Sequence, residues 1–357
     1  MNQRIERLMG KLPHEVDCAL IMSDINRRYF TGMRSTAGTL VCFRDAAYLI
    51  IDFRYIEKAQ KTVKGCEVLQ QDNLYAQLKE LLLKHGAKCT AVEAMEMTLS
   101  QFAQLREKLG DCTELEDSGA LSKAVYACRM VKEPQELEKI RSAQQLAEEA
   151  FSRILTFIRP GVTEREIQME LDFAMIRLGA EDLSFPTIAL TGASTSMPHG
   201  VPSEKKVEKG DFVLMDYGAV VDGYHSDMTR TVAVGQPSEE MEKVYRVVLE
   251  AQMKSLDAVC AGITGQQLDA VARTHIAEAG YGAHFGHSLG HGVGLEIHEY
   301  PNASPTGGAV LRPGNVITIE PGIYLPGKFG VRIEDFAAVT EMGCENLTKA
   351  PKELIIL

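Results

Sequence analysis

From about residue 130 onward the chain repeats itself: laid on its own sequence with an offset of about a hundred residues, it falls into two similar halves. Arg159-Pro-Gly-Val-Thr163 and Ala261-Gly-Ile-Thr264 each precede a helix-like stretch, and Gly179 and Gly280 follow Gly161 and Gly262 by the same 18 residues. Lys209-Gly-Asp-Phe-Val-Leu-Met-Asp216 matches Pro313-Gly-Asn-Val-Ile-Thr-Ile-Glu320, so a carboxylate ends the equivalent strand in each half, six residues after its glycine. His199 and His298 also correspond, each with a proline three residues later, at 202 and 301. Shared folding signals account for the glycines and for Thr163-x-x-Glu166, which reads as a capping box. They do not require matched carboxylates. Two such halves facing each other would bring two carboxylate-tipped strands and two histidines to one centre.

A chain of 357 residues exceeds what one core usually needs, so two domains are expected. From Val16 to about Asp117, short apolar runs alternate with helical ones, as in a small α/β domain. Asp17–Met22, Thr39–Phe43 and Ala47–Ile51 read as strands, and Asn73 to Gly86 as a capped helix carrying leucines at 74, 78, 81 and 82. Nothing in this first third resembles a catalytic cluster. Pro134 opens a long helix with an apolar face of Leu137, Ile140, Ala147, Ala150, Ile154 and Ile158. The boundary is therefore placed near 125 to 132, giving domains 1–128 and 129–357.

A formal charge of −11 on mixed-sign sequence argues against nucleic-acid or anionic-membrane partners, which demand a basic face. Eight cysteines without a CxxC pair fit a reduced, cytoplasmic protein better than a disulfide scaffold. There is no apolar signal region and no window of about 18 apolar residues to span a membrane.

Chemistry concentrates in four segments. Met215 to Asp227 reads as a β-hairpin turning near Val221-Asp222-Gly223, which would set Asp216 opposite Asp227, roughly 4.5 to 5.5 Å apart. Either this is a solvated hairpin end or a divalent cation sits between the two carboxylates. Gly286-His-Ser-Leu-Gly-His-Gly-Val-Gly-Leu-Glu-Ile-His298 places three histidines in twelve residues, and its glycines favour extended or looped backbone over helix. Thr318-Ile-Glu-Pro-Gly-Ile-Tyr324 supplies Glu320, which could equally be a mere strand end. In Gly330-Val-Arg-Ile-Glu-Asp335 a period of two puts Arg332 and Glu334 on one face, as a surface ion pair or as part of the site. Four carboxylates and an imidazole without a thiolate suit Mn, Co, Fe or Zn. Four negative charges nearly cancel two divalent ions, and a bridging hydroxide fits between ions roughly 3.5 to 4 Å apart.

Together these segments resemble the metallopeptidase family of the pita-bread fold, which includes methionine aminopeptidases, Xaa-Pro aminopeptidases, prolidases and the metal-free creatinases. The motifs match in order over residues 135 to 357. The resemblance implies an α+β protein in which a pita-bread catalytic domain with a pseudo-twofold repeat follows a smaller α/β creatinase-type domain. Asn26-Arg-Arg-Tyr-Phe-Thr-Gly32 resembles a recurrent signature of that N-terminal domain. It further implies two divalent metal ions per chain, Mn foremost, on Asp216, Asp227, His291, Glu320 and Glu334, with Asp227 and Glu334 shared between the ions. Glu320 would carry a proton, His199 and His298 would serve the oxyanion or the leaving nitrogen, and His287, Tyr324 and Arg332 would surround the proline. The implied activity is hydrolysis of Xaa-Pro bonds at the N-terminus of peptides by a homodimer. Xaa-Pro aminopeptidase is placed ahead of Xaa-Pro dipeptidase (prolidase), and methionine aminopeptidase or a non-catalytic binding protein of this fold ranks below both.

Overall fold

Short β-branched and apolar runs separated by helical stretches build a six-stranded mixed sheet in the N-terminal part of the chain. The computed structural model describes all 357 residues and divides into two units, Met1–Arg129 and Met130–Leu357. In the first, strands β1 (Cys18–Ile21), β2 (Thr39–Phe43), β3 (Ala47–Ile51), β4 (Glu67–Gln70), β5 (Cys89–Val92) and β6 (Glu114–Glu116) run in the order β4-β3-β2-β1-β5-β6. Every residue of β1, β2 and β3 is buried, as expected for strands covered on both faces. Six helices accompany them: α1 (Gln3–Lys11), α2 (Asp24–Thr31), α3 (Ile56–Thr62), α4 (Leu74–Lys84), α5 (Leu99–Leu109) and α6 (Ala120–Arg129). Asn73 caps α4 by accepting from Ala76 N at 3.1 Å. The Asn26–Gly32 signature is α2 with its stop: Gly32 ends the helix at φ 71°, and buried Arg27 bonds the carbonyls of Met22, Ser35 and Gly38.

The second unit repeats one plan twice. Helices α7 (Pro134–Ile154) and α8 (Glu164–Arg177) precede strands β7 (Asp182–Leu183), β8 (Ile188–Thr191), β9 (Phe212–Tyr217), β10 (Ala219–Val221), β11 (Tyr224–His225) and β12 (Met228–Ala233). Helices α9 (Glu239–Ala258) and α10 (Gly265–Glu278) precede β13 (Gly290–Gly292), β14 (Glu299–Ala303), β15 (Val316–Ile319), β16 (Gly322–Leu325), β17 (Phe329–Arg332), β18 (Asp335–Val339) and β19 (Cys344–Asn346). Thr163 and Thr264 both close capping boxes at the start of 14-residue helices. The sheets run β12-β9-β8 and β14-β13-β15-β18-β19, beside the small sheet β11-β10-β7 and the hairpin β16-β17. Each half has its own apolar core. Along β9, Phe212 packs into the second core while Val213 and Met215 pack into the first, following the period of two. No helix is long and apolar enough to cross a membrane.

Three expectations shift. Helix α7 ends at Ile154, so Ile158 lies beyond it, although it is buried. The hairpin turn is Asp222-Gly223, with φ of 52° and 80°, the left-handed pair that a two-residue type I′ turn requires. That turn sets Asp216 opposite Thr229, not Asp227. Because the register moves by two residues, Asp227 stays on the face of Asp216, as a diagonal neighbour. Finally, Arg332 ends β17 and Glu334 lies in the break before β18, so they do not share one strand.

A buried ionic knot ties β12 to the segment after Glu334. Arg230 Nη2 meets Asp335 Oδ1 at 2.7 Å, with both side chains essentially inaccessible, and Lys352 Nζ lies 2.5 Å from Asp335 Oδ2. Gln252 and Asn346 donate to the same Oδ2. Burial opposes ionisation of Asp335, but Arg230 and Lys352 outweigh it and hold the carboxyl below its ordinary range. Asp335→Ala would strand a buried guanidinium, so a stability loss of about 3–5 kcal/mol is expected. Thermal unfolding checks this; an unchanged midpoint would show that the knot does not brace the fold.

Candidate metal centre

Five strand ends and breaks deliver the candidate ligands to one place. Asp216 stands on β9, Asp227 just before β12, His291 on β13, Glu320 just after β15, and Glu334 between β17 and β18. The segment around His291 is extended, as its glycines suggest, and Gly290 has to be glycine because a Cβ there would lie 1.9 Å from the Thr318 carbonyl oxygen. His291 Nε2 is 3.5 Å from Asp227 Oδ2 and 3.4 Å from Glu320 Oε1. One donor atom each from Asp227, His291 and Glu334 falls within a mutual 4.8 Å. The cavity these residues line, about 670 Å³, is also lined by His199, His287, His298 and Arg332. Tyr324 alone of the expected site residues stands behind the wall, buried, with its hydroxyl 2.9 Å from His287 Nε2 and 2.8 Å from Arg332 Nη1.

Neither bland alternative for the acidic residues survives. Asp227 is 4 % exposed and Glu334 1 %, so there is no solvated hairpin end and no surface ion pair. Arg332, itself buried, pairs with Asp216 and not with Glu334. Three carboxylate oxygens, Asp216 Oδ1, Asp227 Oδ1 and Glu334 Oε1, are buried without any hydrogen-bond partner. Burial pushes the Asp227 carboxyl well above its ordinary range, helped by Asp216 and Glu320. Burial does the same to Glu334, with Asp227 next in weight. Glu320 is pushed up to about 8 by burial, which the nearby Arg332 only partly offsets.

His287 and His291 are held neutral. Burial, with His298 beside it, brings His291 down to about 4. Its Nδ1 lies 3.1 Å from the Gly292 carbonyl oxygen, so the ring proton sits there and the Nε2 lone pair faces Asp227 and Glu320. A lone pair beside buried carboxylates, three of whose oxygens lack any partner, makes a donor set that fits divalent cations. His287 is likewise brought down to about 4 by burial and Arg332. With Nδ1 donating to the Ser288 carbonyl at 2.8 Å, its Nε2 accepts the Tyr324 proton. His298 packs edge-on against His291 at 4.3 Å, and burial lowers it as well, whereas His199 lies at the exposed margin of the cavity.

Two hydroxyls escaped the sequence reading. Thr229 Oγ1 donates to Glu334 Oε2 at 2.7 Å, and Thr318 Oγ1 accepts from His291 N at 3.0 Å and donates to Glu320 Oε1 at 3.2 Å. Each stands two residues from a candidate ligand, Asp227 and Glu320 respectively, so a period of two could have placed both on the site face.

Residues 138–341 match the model of metallopeptidase family M24, and residues 3–131 match that of the creatinase/prolidase N-terminal domain. The sequence is 36 % identical to the Xaa-Pro dipeptidase of Pyrococcus horikoshii, over 99 % of each chain. Its structure is similar to that of an Xaa-Pro dipeptidase from Bacillus anthracis, with a TM-score of 0.95 and 41 % identity over 99 % of both chains. It is also similar to an X-Pro aminopeptidase from Thermotoga maritima, with a TM-score of 0.91 and 38 % identity over 99 % of this chain and 100 % of that one. The resemblance drawn from the motifs and the two-part fold it implied are both met. The chain belongs to metallopeptidase family M24 and carries an N-terminal domain of the creatinase/prolidase type.

Proposed function

We propose that this metallopeptidase is an Xaa-Pro aminopeptidase, removing the residue that precedes proline from the N-terminus of peptides longer than two residues. The observation that carries this reading is the charge of the cavity wall. Arg332 is its one Lys or Arg side chain, and its charge is already answered by Asp216 through Nη2, with Nη1 on Tyr324 Oη at 2.8 Å and Nε on Thr229 Oγ1 at 3.1 Å. His287 and His298 are held below their ordinary values and are neutral near pH 7. An Xaa-Pro dipeptide ends in a carboxylate on its proline, and burying a charge without a partner is costly. A longer peptide presents a neutral amide there instead, which the wall residues Asn302 and Ser304 suit. The second reading, Xaa-Pro dipeptidase, is favoured by the names of the Pyrococcus horikoshii and Bacillus anthracis relatives.

In the proposed reading Asp216, Asp227, His291, Glu320 and Glu334 would hold two divalent ions, Mn foremost with Co, Zn or Fe as alternatives. Divalent ions in such a centre supply Lewis-acid polarisation and lower the pKa of water toward about 7. Around them, Glu320 accepts and returns a proton. His199 and His298 stabilise the developing oxyanion or protonate the departing proline nitrogen. His287, Tyr324 and Arg332 form a fixed relay of hydrogen bonds beside the proline ring, whose amide offers no N–H. A cytoplasmic homodimer is part of the same proposal.

Two outcomes are expected. With Mn present, chromatography of products should show an Ala-Pro-Ala peptide cleaved with kcat/KM at least about tenfold above Ala-Pro, the equivalent of about 1.4 kcal/mol. A dipeptide cleaved equally well would favour the dipeptidase, and equal cleavage of Ala-Ala-Ala would remove the proline assignment. The second concerns pH. A carboxyl with a raised folded pKa keeps a proton that the unfolded chain has lost. Above about pH 6.5, where His287 and His291 are neutral in the folded and unfolded chains alike, metal-free stability should therefore fall as pH rises to about 8. Mn must displace those protons, so it should raise the melting temperature more at about pH 8 than at about pH 5. Melting curves of stripped and Mn-loaded protein check this; a metal-free midpoint that rises over that range contradicts it.

A further inference from the structure

We infer that Thr229 is a positioning residue whose hydroxyl determines which oxygen of Glu334, and through Arg332 which oxygen of Asp216, is left free for the metal centre. The inference rests on the proposed role of those two carboxylates. Thr229 is fully buried on β12, directly opposite Asp216 on β9. Its Oγ1 is 2.7 Å from Glu334 Oε2 and 3.1 Å from Arg332 Nε. A guanidinium can only donate, so the single hydroxyl proton has to go to Glu334 Oε2. That oxygen is thereby satisfied, and the other, Oε1, is the one left buried and unpartnered.

The same hydroxyl orients Arg332. With Nε on Thr229 and Nη1 on Tyr324, the planar fork has one direction left for Nη2, which meets Asp216 Oδ2. Asp216 Oδ1 is then unpartnered, as Glu334 Oε1 is. Thr229 itself has little room to drift. Its carbonyl accepts from Glu334 N at 3.1 Å and from Arg230 Nη1 at 2.9 Å, and Arg230 Nη1 also reaches the Glu334 carbonyl at 2.5 Å. A β-branched side chain on so fixed a backbone is confined at χ1. One hydroxyl thus sets the carboxylates of β9 and of the break before β18.

The test uses the full-length chain stripped of metal and titrated with Mn by calorimetry. Thr229→Val keeps the shape and removes the hydroxyl; Thr229→Ser keeps the hydroxyl and removes the methyl. Thr229→Val should weaken Mn binding by about 10- to 100-fold, as loss of a partner that orients a metal ligand does, while Thr229→Ser binds close to wild type. Thermal unfolding of the stripped proteins shows whether each variant is folded. If the valine variant does not fold, Thr229→Ala carries the same expectation. Wild-type affinity in the valine or alanine variant overturns the inference, and so does equal weakening in valine and serine, since that pattern belongs to packing. Failure of the wild type itself to bind Mn would instead refute the proposed metal centre.

Discussion

Asp216, Asp227, Glu320 and Glu334 converge on a single cavity, and the repulsion among them is the constraint around which the second unit is arranged. Only one side-chain cation, Arg332, stands in that wall, and it answers one carboxylate, Asp216. The others respond as buried like charges do, with carboxyls pushed upward and oxygens left without partners. A protein under no functional demand would relieve such a cluster by exposing it or pairing it. Here the strand ends are instead held with the cluster buried and largely unpaired, an arrangement suited to added cations.

Holding them there is the work of the scaffold. The duplicated plan supplies β9 and β15, whose Asp216 and Glu320 sit at matching ends, while the hairpin break and the break before β18 add Asp227 and Glu334. Behind this layer the Arg230–Asp335 pair joins the strand that carries Thr229 to the residue after Glu334. Tyr324 and His287 perform the corresponding service on the other side of Arg332, with the His287 ring fixed by the Ser288 carbonyl. The charged groups nearest the cavity are therefore braced from two directions, the condition under which a preorganised site keeps its geometry.

Much of this was legible before any coordinates. The matched carboxylates at 216 and 320 exceed what folding signals require, and the glycines around His291 argue for an extended backbone, which is what β13 provides. Alternation also put Arg332 and Glu334 on a common face, and both do reach Thr229, although a break separates them. Register was harder. The Asp222-Gly223 pair can be centred one residue either way on paper, and only left-handed dihedrals at both residues choose between the pairings. Partners distant in sequence were harder still. Nothing local links Arg332 to Asp216, 116 residues away, or Thr229 to Glu334, 105 away, because such contacts depend on strand packing and not on periodicity. For that reason the hydroxyls of Thr229 and Thr318 stayed hidden while the carboxylates they bond did not.

The central claim is that these five side chains hold two cations between them. Anomalous diffraction at the Mn absorption edge, from crystals of the Mn-loaded chain, tests it most directly. The account predicts two peaks within the cavity, bounded by Asp216, Asp227, His291, Glu320 and Glu334, with Asp227 and Glu334 contacting both. A single peak, or peaks away from these residues, would contradict it.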